Sequence, residues 1–199
     1  MKIPKNGFWH PNIQKGWKNS SPGVGYSNNQ ITDEQYYATV AIHDPLWRYV
    51  ISHYDAEIYD HLNTAPVAVL GYRSLPVAIE LTQWGYDVTI LTRTLGEFRK
   101  AQKDCVIQAG SPKEILYFDY TKNIPRVCVV CFIDVISDFE DESRIFTFLD
   151  LCLRRSREVV CAVRDDRDWK ELLSRKYVCT IKPYPVGKYL FMSLTELRS

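Results

Sequence analysis

The sequence predicts an α/β fold of three layers: helices on both faces of a mostly parallel sheet that closes with an antiparallel C-terminal hairpin. Three observations predict it. Residues 66–94 read as strand, tight turn, helix, strand, the opening βαβ unit of a doubly wound sheet. Short apolar runs and segments of helical period then keep alternating through residue 175. Two last strand-like runs flank a proline-rich loop. Parallel strands need crossovers, and right-handed crossovers put helices on both faces.

The elements follow in order. The first ~30 residues are rich in Asn, Ser, Gly and Pro, and residues 20–25 are a loop signal. Phe8, Trp9, Trp17 and Tyr26 make this stretch too apolar for a plain disordered tail, so it is expected to pack across the domain. Thr32-Asp33-Glu34-Gln35 resembles a helix cap with an acidic first turn. Pro45 breaks or restarts that helix, and Leu46, Tyr49, Val50 and Tyr54 recur at helical spacing up to Tyr59. Residues 67–70 form a strand ending at Gly71, a helix runs from near Ser74 to Gly85, and residues 88–91 form the next strand. A helix over 95–109 stops at Gly110-Ser111-Pro112. Strands follow at 115–118 and 127–132, a helix at 142–154, a strand at 158–163 and a short helix at 168–175. The hairpin joins 177–181 to 189–194.

The chain of 199 residues suits one compact domain, divided into an aromatic and helical lid segment (1–60) and the α/β body (61–199). A net charge of +1 favours neither nucleic acid nor a membrane surface as partner. No apolar run approaches the roughly 20 residues that span a bilayer, and no apolar signal core follows the lysines of residues 1–7, so a cytoplasmic location is expected. Cys128 and Cys131 form a C-x-x-C inside a strand-like run. Residues three apart on a strand face opposite sides, so the pair is read as small buried hydrophobes and no metal is expected.

The turn after the first strand carries the chemistry. Such a turn sets backbone N–H groups and a helix N-terminus beside a bound cofactor. The segment Val69-Leu70-Gly71-Tyr72-Arg73-Ser74-Leu75, together with the order of elements, resembles the class I S-adenosylmethionine-dependent methyltransferases over about residues 40–199. That resemblance implies a Rossmann-like, seven-stranded sheet whose last strand is antiparallel and inserted through a hairpin. The family reads an acidic residue, any residue, then G-x-G-x-G. Here the spacing aligns without a gap, Gly71 keeps the first glycine, Arg73 and Leu75 replace the others, and Val69 replaces the acid. Arg73 blocks the site, lies on the surface, or pairs with the cofactor carboxylate.

The resemblance further implies S-adenosylmethionine as cofactor, with Gly71, Tyr72, Arg73 and Ser74 at its methionine end. Thr92 stands where the family has an acid for the ribose. Asp119, with Tyr120, stands near the adenine, and Ile133 and Asp134 line the transfer site. Its catalytic candidates are His10 and His43, either of which would serve as a general base. The expected partner is a small-molecule acceptor, with a homodimer through the aromatic N-terminus as a further reading. Two alternatives remain beside methyl transfer. One is a methyltransferase-fold binding or assembly protein whose cofactor site has decayed. The other is an NADP-dependent oxidoreductase, because Thr92-Arg93-Thr94 resembles a strand end that takes a 2′-phosphate.

Overall fold

A computed structural model describes residues 33–54, 66–107, 114–117, 123–137, 139–184 and 188–197. The helices are α1 (Asp33–His53), α2 (Leu75–Gln83), α3 (Leu95–Ile107), α4 (Glu142–Leu153) and α5 (Trp169–Ser174). The strands are β1 (Pro66–Leu70), β2 (Asp87–Thr92), β3 (Glu114–Tyr117), β4 (Val129–Ile133), β5 (Glu158–Arg164), β6 (Tyr177–Pro183) and β7 (Tyr189–Glu196). They form one sheet in the order β3-β2-β1-β4-β5-β7-β6. β1 to β5 run parallel, while β7 enters antiparallel between β5 and β6. The fold is thus α/β and Rossmann-like, with a mixed sheet and an antiparallel C-terminal hairpin. The strand order reverses between β1 and β4, and that switch point is where α/β sheets open a crevice at their C-terminal edge.

The layers follow from the strand alternation. Val67 and Val69 of β1 and Cys131 and Ile133 of β4 join α1 and α2 in one core. Ala68, Leu70, Val130 and Phe132 point the other way and join α4 and α5 in a second core. Central strands covered on both faces read as the continuous apolar runs that the sequence shows. α2 ends in a Schellman motif: the Tyr86 N–H donates to Leu81 O and the Gly85 N–H to Thr82 O. Gly85 takes φ +86° there, a conformation that strains any residue with a Cβ. Asp141 and Asp168 cap α4 and α5, accepting from the backbone N–H of Ser143 and Glu171.

α1 is anchored at its far end by a buried carboxylate. Tyr49 and Tyr54 donate to the two oxygens of Glu158 at 2.7 and 2.6 Å. The Ser193 hydroxyl of β7 also donates to Glu158, and Tyr86 donates to the Tyr54 carbonyl. These bonds tie the helix to β5 and β7 at the edge opposite the switch-point crevice.

Two expectations are corrected. α1, Asp33–His53, runs unbroken through Pro45, while Tyr59 lies outside the described residues. The proline forfeits one amide donor, and burial of Leu46, Trp47 and Val50 against the sheet outweighs that loss. Cys128 precedes β4 rather than lying in it, so alternation does not govern it, and it shares the α1/α2-side core with Cys131. Neither forms a disulfide, and burial pushes the Cys131 thiol far up. Among the described residues no group of His, Cys, Asp and Glu is arranged to hold a metal, and no helix is long and apolar enough to cross a membrane.

Candidate functional site

The turn after β1 builds the candidate site. Gly71 takes φ +80°, which only glycine adopts cheaply, and its N–H donates to Leu91 O of β2. Tyr72–Ser74 then make one 3-10 turn that leads directly into α2. The Ser74 hydroxyl donates to Leu70 O at 2.8 Å and accepts from the Ile133 N–H at 2.9 Å. Ser74 therefore stitches the ends of β1 and β4 together and is fully buried. The Tyr72 hydroxyl donates to Asp104 of α3 at 2.5 Å. Burial raises the Asp104 carboxyl above its usual range, and the bond from Tyr72 offsets part of that rise. Tyr72 is thus committed to α3.

Arg73 crosses the crevice. Its Nη1 donates to Asp134 Oδ2 at 2.6 Å, joining the turn after β1 to the residue after β4. Asp134 is almost wholly buried and takes φ +63°, a left-handed conformation that aspartate tolerates better than most side chains. Arg164, the last residue of β5, donates from Nε to Asp134 Oδ1 at 3.0 Å. The Tyr189 hydroxyl, across from Arg164 on β7, donates to Oδ2 at 3.3 Å. Burial and the Asp134 charge hold the Tyr189 phenol above its usual range. One carboxylate therefore gathers two arginines and a tyrosine from two strand ends and the turn after β1. A buried carboxylate needs such compensation.

His43 of α1 reaches the same turn. Its Nε2 lies 3.1 Å from the Arg73 carbonyl oxygen. A carbonyl only accepts, so that nitrogen carries the hydrogen. His43 is buried, and α1 is pinned against the turn at this point. Thr92, at the end of β2, is also fully buried, and the N–H of the next residue, Arg93, donates to the Glu97 carboxylate of α3 at 3.0 Å.

The structure brings Gly71, Arg73, Ser74, Ile133, Asp134 and His43 together at the switch point. It turns Tyr72 away toward α3. His10, Asp119 and Tyr120 lie outside the described residues, as do Phe8, Trp9, Trp17 and Tyr26. Sequence reasoning missed Arg164, Tyr189 and Asp104. For Arg164 a signal existed: adjacent parallel strands end at one edge, so the residue closing β5 falls beside the residue after β4. Nothing in the sequence pointed to Asp104 as the partner of Tyr72.

These residues do not fit S-adenosylmethionine in the manner the family pattern requires. A glycine position holds an arginine engaged across the crevice, the serine beside it is consumed by strand ends, and the ribose position holds a buried threonine.

No sequence profile of a known family matches the chain, and no curated protein sequence does either. Solved structures do match it. Magnesium protoporphyrin IX methyltransferase from Synechocystis PCC 6803, with bound S-adenosylmethionine, superimposes with a TM-score of 0.62 at 15% identity, over 95% of this chain and 96% of that one. The PH0226 protein of Pyrococcus horikoshii OT3 gives 0.63 at 12% identity, over 92% and 99%. The N-methyltransferase NodS of Bradyrhizobium japonicum WM9 gives 0.59 at 11% identity, over 84% and 100%. At these identities the likeness is one of architecture: the chain is built on the fold of the class I S-adenosylmethionine-dependent methyltransferases.

Proposed function

We propose that the chain is a binding protein on a methyltransferase fold, its cofactor crevice closed by its own side chains. The observation that carries this reading is the 2.6 Å Arg73–Asp134 contact across the switch point. Admission of a cofactor methionine group there requires that contact to open. Opening strips a partner from a carboxylate that is 2% exposed and that Arg164 and Tyr189 also hold in place. The loss of two motif glycines and of the ribose acid points the same way.

A second reading is methyl transfer from S-adenosylmethionine to a small-molecule acceptor. One specific observation favours it: the Arg73 side chain is 61% exposed, so it has room to swing toward solvent and meet a carboxylate. On that reading Gly71, Arg73 and Ser74 hold the methionine end, Thr92 faces the ribose, and Asp119 with Tyr120 faces the adenine. Ile133 and Asp134 border the acceptor, and His43 or His10 takes a proton where the acceptor must lose one.

Thermal melting separates the readings. A ligand at a hundred times its dissociation constant stabilises by about 2.7 kcal/mol, a readily visible shift. S-adenosylmethionine, S-adenosylhomocysteine and NADPH at millimolar concentration are each expected to leave the midpoint unmoved. A dose-dependent rise with either sulfur nucleoside overturns the closed-crevice reading and favours the second. A rise with NADPH alone favours the oxidoreductase reading of Thr92-Arg93-Thr94.

A further inference from the structure

A separate cavity of about 440 Å³ opens over α1. Pro45, Trp47, Tyr49 and Ile51 of α1 line it together with Trp84, which follows α2, and with Tyr184 and Phe191 of the hairpin region. The volume lies in the range of small-molecule sites, roughly 300–1,000 Å³. Five of its lining residues are aromatic, and Trp47 and Trp84 stack 25° from parallel. Two lining residues are charged, Arg48 and Lys182, and both are cations; no carboxylate lines the cavity among the described residues.

Arg48 is fixed in advance. Asp44 accepts from its Nε at 3.2 Å, and its guanidinium carbon lies 4.5 Å over the Trp47 ring. Asp44 also accepts from the Trp47 indole N–H at 3.1 Å, so one carboxylate orients both the cation and the ring. Lys182, on the exposed edge strand β6, supplies the second cation from the hairpin. A guest that matches these walls is flat, apolar and negative at one end. Its rings would meet tryptophan and tyrosine faces, and its charged group would meet a guanidinium that loses little freedom on binding.

We propose that this cavity binds small planar aromatic carboxylates, the acid end at Arg48 and Lys182 and the rings against Trp84, Tyr49 and Phe191. The site lies on the α1 face and uses none of the switch-point residues, so it stands whether or not a cofactor enters the crevice.

The test uses the full chain and naphthalene-2-carboxylate as probe, with naphthalene-2-methanol as its neutral counterpart, read by calorimetry and by quenching of tryptophan fluorescence. The expected result is saturable one-to-one binding of the carboxylate, with the alcohol at least about tenfold weaker, the size of one charge-assisted hydrogen bond. Lys182→Glu, a substitution at an exposed position, is expected to weaken the carboxylate about tenfold or more and to leave the alcohol unchanged, with an unaltered melting midpoint. Absence of saturable binding to the wild-type chain overturns the proposal. So does equal affinity for carboxylate and alcohol, a comparison that needs no variant. Retained affinity in a folded Lys182→Glu chain overturns it as well. Because the probe is neither a nucleoside nor a sulfonium, a failure here is distinct from any result with S-adenosylhomocysteine.

Discussion

Arg73 and Asp134 are 61 residues apart in sequence and 2.6 Å apart in space, and their contact spans the point where the strand order reverses. The sequence resemblance alone would give these two positions to a cofactor and an acceptor. Here each satisfies the other. Arg164 and Tyr189 complete the cluster, so three groups act on one carboxylate and their effects are coupled.

Asp134→Asn isolates the charge, because asparagine shares the tolerance for positive φ. Both arginine partners are well exposed and recover water when released, so the loss stays modest. The expected cost is about 1 kcal/mol, read as a lower urea midpoint at unchanged slope. Added salt is expected to narrow the difference between wild type and variant.

Glu80 of α2 is buried beside Asp44, and burial first, then the Asp44 charge, pushes its carboxyl up to about 7. The unfolded chain ionises this group at its ordinary value, near 4.5. Between those values the unfolded state binds fewer protons, so the group's stability contribution is intact at acid pH and is lost as pH rises toward 7. A rise of that size corresponds to at most about 3 kcal/mol. Glu80→Gln is therefore expected to raise the melting midpoint at pH near 8 and to leave it nearly unchanged at pH near 4. A variant equally stabilised at both pH values contradicts the burial account.

Tyr54→Phe removes one of the hydroxyls that donate to Glu158 and leaves that buried carboxylate short of a partner. The expected loss is about 1–2 kcal/mol. Hydrogen exchange is expected to speed up for the amides of α1 from Leu46 to His53, since Glu158 ties the end of that helix to the sheet. Uniform destabilisation with α1 no more exposed than the rest contradicts that anchoring role.

The sheet was legible because its strands are short apolar runs punctuated by Gly71, Gly85 and the hairpin prolines, a signal that survives without relatives. Strand and helix ends fall within a residue or two of their sequence readings, as for β1, β5 and α4. Pro45 misled, because a local rule about lost hydrogen bonds was outweighed by the packing of Leu46, Trp47 and Val50. The sequence placed Arg73 and Asp134 at one site yet could not pair them, since pairing depends on side-chain direction across the switch point. For the same reason Tyr72 looked available to a cofactor while its hydroxyl is bound to Asp104, and Glu158 looked like an ordinary strand start while it receives two tyrosines and a serine.

The most direct measurement is a calorimetric titration of S-adenosylhomocysteine into the wild-type chain and into Arg73→Gly, the substitution that restores a motif glycine and releases Asp134. A crevice closed by Arg73 gives no heat of binding in the wild-type chain at millimolar ligand. Saturable heat in the wild-type chain at micromolar ligand would contradict a closed crevice, and its weakening in Arg73→Gly would mean that the arginine receives the ligand rather than excluding it.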